Sequence, residues 1–151
     1  MTLQLFAGLF ATIGYALIFN QPRRHLIPTG LIGAAGWIVY LVAVNVGYGD
    51  AMSSFFSAFL VTLLSQIAAR ILKDPVMVFC IPGIMPIVPG AGMYRTMRAF
   101  VMHETALAAA TGYNTISMAG AIALGLLGAT SLVQIITAVR RTFFTKIESK
   151  E

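Results

Sequence analysis

The chain has 151 residues, of which 58% are hydrophobic and 10% charged; its mean hydropathy is +0.86 and its net charge +5. Soluble domains carry roughly a quarter charged residues, so this composition excludes an ordinary soluble domain and points to a bilayer. At about 20 residues per apolar helix the length allows four or five crossings and leaves no separate soluble domain.

In a soluble protein the excess of basic residues would suggest nucleic acid. In this setting it reads as the cytoplasmic charge excess of a membrane protein, and no nucleic-acid partner is expected. The single Cys80 lies in an apolar run, which excludes a disulfide framework or a cysteine metal site. The expected class is an all-α integral membrane protein with about five transmembrane helices in one transmembrane domain, residues 1–151.

The first span covers residues 3–19. It has no basic stretch before it and no small-residue cleavage site after it, so it reads as a retained span rather than a signal peptide. The turn Asn20-Gln21-Pro22-Arg23-Arg24-His25 follows. The second span covers 26–46, with Gly30, Gly33 and Gly36 along one face, where small residues let two backbones approach in lipid. The third covers 52–72 and is the most polar of the regular spans, through Ser53, Ser54, Ser57, Thr62, Ser65 and Gln66. Such a stripe serves interhelical hydrogen bonds at about 1 kcal/mol or less each, or forms a wet face along a substrate path. Asp74 is placed to cap the next helix and Pro75 to be its first residue.

The fourth span, 76–90, meets Pro82 after fewer than two turns and is expected to be short and broken. Pro82, Pro86 and Pro89 remove backbone donors, and Gly83, Gly90 and Gly92 stand between or just after them. The intervening side chains are nearly all apolar. Non-helical backbone at membrane depth survives only inside protein or beside a wet cavity. A short amphipathic helix is predicted over 91–104, carrying Arg95, Arg98 and Glu104, and Gly112-Tyr113-Asn114 is read as a turn before the fifth span, 115–139. There Ala121, Gly125 and Ala129 form a small-residue ridge. The basic and aromatic segment from Arg140 to Lys146 fits an interface anchor.

Five spans place Arg23, Arg24, Arg70, Lys73, Arg140, Arg141, Lys146 and Lys150 on one side, and only Arg95 and Arg98 on the other. The charge rule makes the first side cytoplasmic, with the N-terminus external.

The chain is not expected to be an enzyme, and no cofactor or metal is expected. His103-Glu104 does not open a metalloprotease helix, because Leu107 stands where the second His is needed. His25, beside two arginines, reads as an interface residue. Asp50, Asp74 and Glu104 all lie outside the regular spans, so no acidic proton relay is visible inside them.

The positive case is the broken helix. Transporters use such breaks near mid-membrane, with half-helix N-termini facing the anionic part of a substrate. The substrate-binding candidates are Pro82, Gly83, Pro86, Pro89, Gly90 and Gly92, with free N–H groups near Ala91, and Arg95 and Arg98, whose guanidinium forks suit a carboxylate. A plainer reading has the prolines only kinking a packing helix and both arginines snorkelling to the surface.

The run Pro82-Gly83-Ile84-Met85-Pro86-Ile87-Val88-Pro89-Gly90, followed by Tyr94 and an alanine-rich fifth span, resembles the threonine/serine exporter family, in its short-subunit type. The early Asn20-x-Pro22-x-Arg24 turn agrees, and the likeness covers nearly the whole chain. It implies an exporter in the bacterial inner membrane for small hydrophilic metabolites, threonine and serine or a dicarboxylate such as succinate. It also implies a larger exporter subunit as partner. Only Pro82, Gly83, Pro86, Pro89 and Gly90 carry over from the family motif; Arg95 and Arg98 rest on charge and position. The small-residue faces of spans two and five would serve that partner, or a second copy of this chain. The expected function is a secondary-transporter subunit exporting carboxylate-bearing metabolites. The rival is a non-transporting scaffold or assembly subunit.

Overall fold

The computed structural model describes the backbone of residues 2–148 and the side chains of residues 3–139. The expected interface anchor, Arg140 to Lys146, lies outside the described side chains.

Every element is helical: α1 (Thr2–Ile18), α2 (Leu26–Val46), α3 (Asp50–Leu72), α4 (Val76–Ile84), α5 (Gly90–Val101) and α6 (Thr105–Glu148), with short 3-10 turns at Arg23–His25 and Met85–Ile87. Left-handed residues end four of them. Asn20 follows α1, Gly47 caps α2 at φ 102°, Lys73 caps α3 and His103 lies beyond α5. At Gly47 the glycine has a clear purpose, since its N–H and that of Tyr48 turn back to the carbonyls of Val44 and Ala43.

Among the described residues three helical segments are long and apolar enough to cross a membrane: Arg23–Val46, Asp50–Leu72 and Thr105–Val139. Val76–Ile87 and Gly90–Val101 pass the same test as a pair bent by 51°, which makes up to four spans if the pair is one crossing. The first apolar helix, Leu3–Ile18, is shorter than a full span. Length and composition therefore support three or four crossings and do not confirm the expected five.

The α4–α5 segment begins differently from the expectation. Pro75, not Asp74, is the N-cap of α4, and no side chain caps it. The Asp74 carboxylate turns instead to Arg24 and His25. Helix α4 continues through Pro82 to Ile84, and the chain then passes through the 3-10 turn and Pro89 before α5 starts at Gly90.

The largest departure is α6. Residues 112–114 are helical, and one helix of 44 residues runs from Thr105 to Glu148. Gly112 serves close packing there: a Cβ at this position would stand 3.2 Å from Thr96 Cγ2 on α5. Thr111 and Thr115 return their hydroxyls to the carbonyls of Leu107 and Thr111, so they satisfy themselves within the helix.

The core lies where α2, α3 and α4 meet one face of α6, around Ile32, Val61, Phe79, Ile84, Ile87 and Ile122. Glycines set how closely these helices approach. A Cβ on Gly33 would overlap Thr12 of α1, and one on Gly36 would overlap Val61 of α3. Gly125 faces the α3 backbone itself, with the Phe55 carbonyl oxygen 2.7 Å from where a Cβ would be. The small-residue faces expected to serve another chain are thus used inside this one. Apart from Gln66, the polar stripe of α3 is buried as well. Ser57 Oγ donates to the Gly36 carbonyl at 2.6 Å, while Ser54 and Thr62 bond back to their own helix.

Candidate functional site

The predicted site residues fall around three separate clefts. Pro82 lines the first, of about 400 Å³, between the α1–α2 link and α4, together with Gln21, Pro22 and Val78. Its ring removes the N–H that would bond the Val78 carbonyl four residues earlier. Gly83 is buried and lines none of the three clefts; a Cβ there would stand 3.0 Å from Val61 Cγ1 and 3.4 Å from Ile32 Cγ2. Its role in this geometry is to let α4 lie against α2 and α3.

Pro86 and Gly90 line the second cleft, of about 430 Å³, with Tyr15, Trp37 and Ala91. Gly90 faces open space: nothing lies within 4 Å of a Cβ built there. Pro89 is buried and its carbonyl accepts the Met93 N–H at 3.1 Å, closing the first turn of α5. The Gly90 N–H turns back to the Val88 carbonyl at 2.7 Å, so one of the donors expected to be free at this helix start is already engaged. Gly92 packs against α6, where a Cβ would come to 2.5 Å from Thr115 Oγ1.

Arg95 and Arg98 share the third cleft, of about 300 Å³, with Glu104 and Thr111. This is the one place where the structure brings predicted charged residues together. Neither arginine forms a salt bridge or hydrogen bond among the described residues, so both guanidinium groups are free for a ligand. The cleft lies at the far end of α5 from the Pro-Gly break. Arg98 is in the last turn, about 12 Å along the axis from Gly90 at 1.5 Å per residue, where the helix dipole favours a cation. The expected cooperation between the N–H groups near Gly90 and the arginines is therefore not built into one site.

The arginine cleft belongs to a hairpin. Thr96 of α5 meets Thr111 of α6 at 3.1 Å, and the turn between the helices closes with the Glu104 N–H on the Ala99 carbonyl at 2.9 Å. Helices α3 and α6 run side by side in the same direction, with Phe55 beside Gly125 at one level and Arg70 bonded to Thr137 at 2.8 Å at the other. By that alignment the start of α6 extends past the start of α3 by about 20 Å. The arginines thus stand at the extreme end of the bundle.

At the opposite end is a cluster that sequence reasoning missed. His25 is 1% exposed, packs edge-on to the Phe79 ring at 5.3 Å, and holds its Nε2 3.0 Å from Asp74 Oδ2. Arg24 reaches the same carboxylate at 3.2 Å. A signal was present in the sequence: the two links that carry these residues fall on the same side in the orientation count. Opposite charges in adjacent links are natural partners.

A model of the family described as Threonine/Serine exporter, ThrE, matches residues 4–132. An uncharacterized protein of Haemophilus influenzae is 28% identical over 131 residues, covering 81% of this chain and 43% of its own length. The chain thus spans less than half the length of that relative. No solved structure matches. With most of its length inside one family model and its apolar helices gathered as described, the chain belongs to the threonine/serine exporter family.

Proposed function

We propose that the chain is a subunit of a secondary transporter that exports small carboxylate-bearing metabolites across the bacterial inner membrane, alongside a larger subunit of the same family. In this reading α1 and the bent α4–α5 pair each cross, giving five spans with the N-terminus external and the C-terminus cytoplasmic. The observation that carries the substrate class is the pair of unpaired guanidinium groups in one cleft, Arg95 and Arg98. Two forks in one cleft suit a carboxylate. Glu104 in the same cleft gives a ligand ammonium a counter-charge and repels a second carboxylate. That favours threonine or serine over a dicarboxylate such as succinate. Pro82, Gly83, Pro86, Pro89, Gly90 and Gly92 then shape the route to and from this end.

The test is efflux of threonine, serine and succinate from cells expressing the chain with the larger subunit. Arg95→Gln with Arg98→Gln is expected to lower threonine and serine efflux at least tenfold with insertion unchanged, and Glu104→Gln to narrow the preference against succinate. Unchanged efflux in the double variant removes the cleft from the mechanism.

The scaffold reading makes Gly83 and Gly90 matter for complex formation and draws on the burial of Gly83 against neighbouring helices. It expects the arginine variants to export normally and the glycine variants to lose the partner. Glycine variants that keep the partner and still lose export count against it.

A further inference from the structure

The cluster at the head of α4 contains an arrangement that one protonation state cannot satisfy. His25 Nε2 lies 3.0 Å from Asp74 Oδ2 and 2.8 Å from Arg24 Nε. Toward the carboxylate that nitrogen must carry a hydrogen; toward the guanidinium N–H it must offer a lone pair. The same three side chains therefore support two mutually exclusive patterns at Nε2, which differ by one proton when Nδ1 keeps its hydrogen in both.

The rest of the surroundings have the same character. His25 Nδ1 is buried with no hydrogen-bond partner, and so is Gln21 Oε1, four residues earlier in the same link. Gln21 spends its amide N–H on Thr29 Oγ1 at 2.7 Å, which leaves the acceptor end over. The ring carries Nδ1–H in both patterns and needs an acceptor for it, and this link holds one without a donor. Water reaches the cluster from its other side, where the Arg24 and Asp74 side chains are 70% and 21% exposed. Among the described residues, the charged groups that contact the ring are Asp74 from the α3–α4 link and Arg24 from its own turn; α4 presents only the neutral Phe79 ring.

We propose that His25 is the proton-binding residue of this chain. With the proton on, Nε2–H pairs with Asp74 and the cluster carries one net positive charge. With it off, Nε2 accepts from Arg24 and the cluster is neutral. The proton passes to and from water at the exposed Arg24 and Asp74 side of the cluster, and no other reactant is needed. Because Asp74 adjoins Pro75, the N-cap of α4, and Phe79 lies three residues before Pro82, the exchange of partners loosens or fastens the head of the helix that carries the break. The consequence for export rests on the transport reading above. The proton site itself does not.

The site is tested by nitrogen NMR of the full-length chain in lipid nanodiscs, with His103→Gln leaving His25 as the single histidine. The ring nitrogens are expected to exchange the charged signature for the neutral one as pH is raised. Asp74→Asn is expected to alter that transition, because the carboxylate 3.0 Å from Nε2 is then gone. A ring that holds one state throughout, or a transition indifferent to Asp74→Asn, overturns the proposal. In proteoliposomes with the larger subunit, His25→Gln is expected to abolish the response of efflux to an imposed pH gradient, whereas the arginine variants lower efflux at every pH. A response retained in His25→Gln overturns the coupling. Wild-type vesicles with no efflux strike the transport reading instead, and the NMR transition still decides the proton site.

Discussion

The two ends of the α4–α5 segment are made from the same residue types and do opposite things. At the α4 end Pro82 and Gly83 are buried, and a Cβ on Gly83 would press to 3.0 Å from Val61 and 3.4 Å from Ile32. At the α5 end Gly90 faces a cleft, and Arg95 and Arg98 are exposed with no partner among the described residues. The difference teaches how to read a proline- and glycine-rich apolar stretch. Glycine inside the bundle sets helix separation, a matter of packing in lipid, where close approach stands in for the hydrophobic drive. Glycine at the cleft leaves backbone uncovered, and only that kind can meet a ligand.

That contrast can be broken first at its packed side. Gly36→Val adds three carbons where even one would overlap Val61, and the α2–α3 crossing has no slack because Ser57 Oγ holds the Gly36 carbonyl. The expected cost is about 3 kcal/mol, at the upper end for an overpacked core. It should appear as a large drop in the thermal midpoint of the detergent-solubilised chain. A midpoint equal to wild type means the helices are free to spread, and the packed end is not as rigid as described. The next effect is smaller. In Gly92→Ala the new methyl meets Thr115 Oγ1, which moves only by giving up its bond to the Thr111 carbonyl. A loss of about 1–2 kcal/mol is expected, read as increased proteolysis of the α5–α6 hairpin relative to the rest of the chain.

Much of this was legible from the residues, and the parts that were not have identifiable reasons. Helices α2 and α3 begin and end within two residues of their expected limits, because long apolar runs bounded by Gly, Asp and basic turns leave little choice. The reading of Gly112-Tyr113-Asn114 as a turn failed because glycine serves two purposes. It permits a turn, and it permits a neighbouring helix to approach; Thr96 of α5 shows that the second applied. Asp74 before Pro75 had the pattern of a helix cap, yet its carboxylate joins a buried His25 that only the folded chain brings near. Local rules assign a side chain to the backbone beside it, and a distant charge can outbid that backbone. The candidate site divided in the same way. Arg95 and Arg98 are three residues apart on one helix, so their meeting was predictable. Their distance from the Pro-Gly break depends on how far α5 runs straight, which composition does not encode.

The smallest expected effect is the sharpest instrument for the open side. Gly90 is the first residue of α5, its φ is not in the left-handed region, and no atom lies within 4 Å of a Cβ built there. Gly90→Ala should therefore change stability by no more than about 0.5 kcal/mol, the ordinary range for an exposed change away from packing. The thermal midpoint should match wild type, as should recovery of the protein from membranes. Any effect on export then has to come from what passes through the 430 Å³ cleft, because the resting chain makes no contact for the methyl to disturb. Efflux reduced severalfold at unchanged stability would place substrate against the backbone at Gly90. Efflux equal to wild type would confine recognition to the arginine cleft at the other end of α5. The same methyl group at Gly92 costs stability, so the pair of variants separates packing from passage within a single turn of helix.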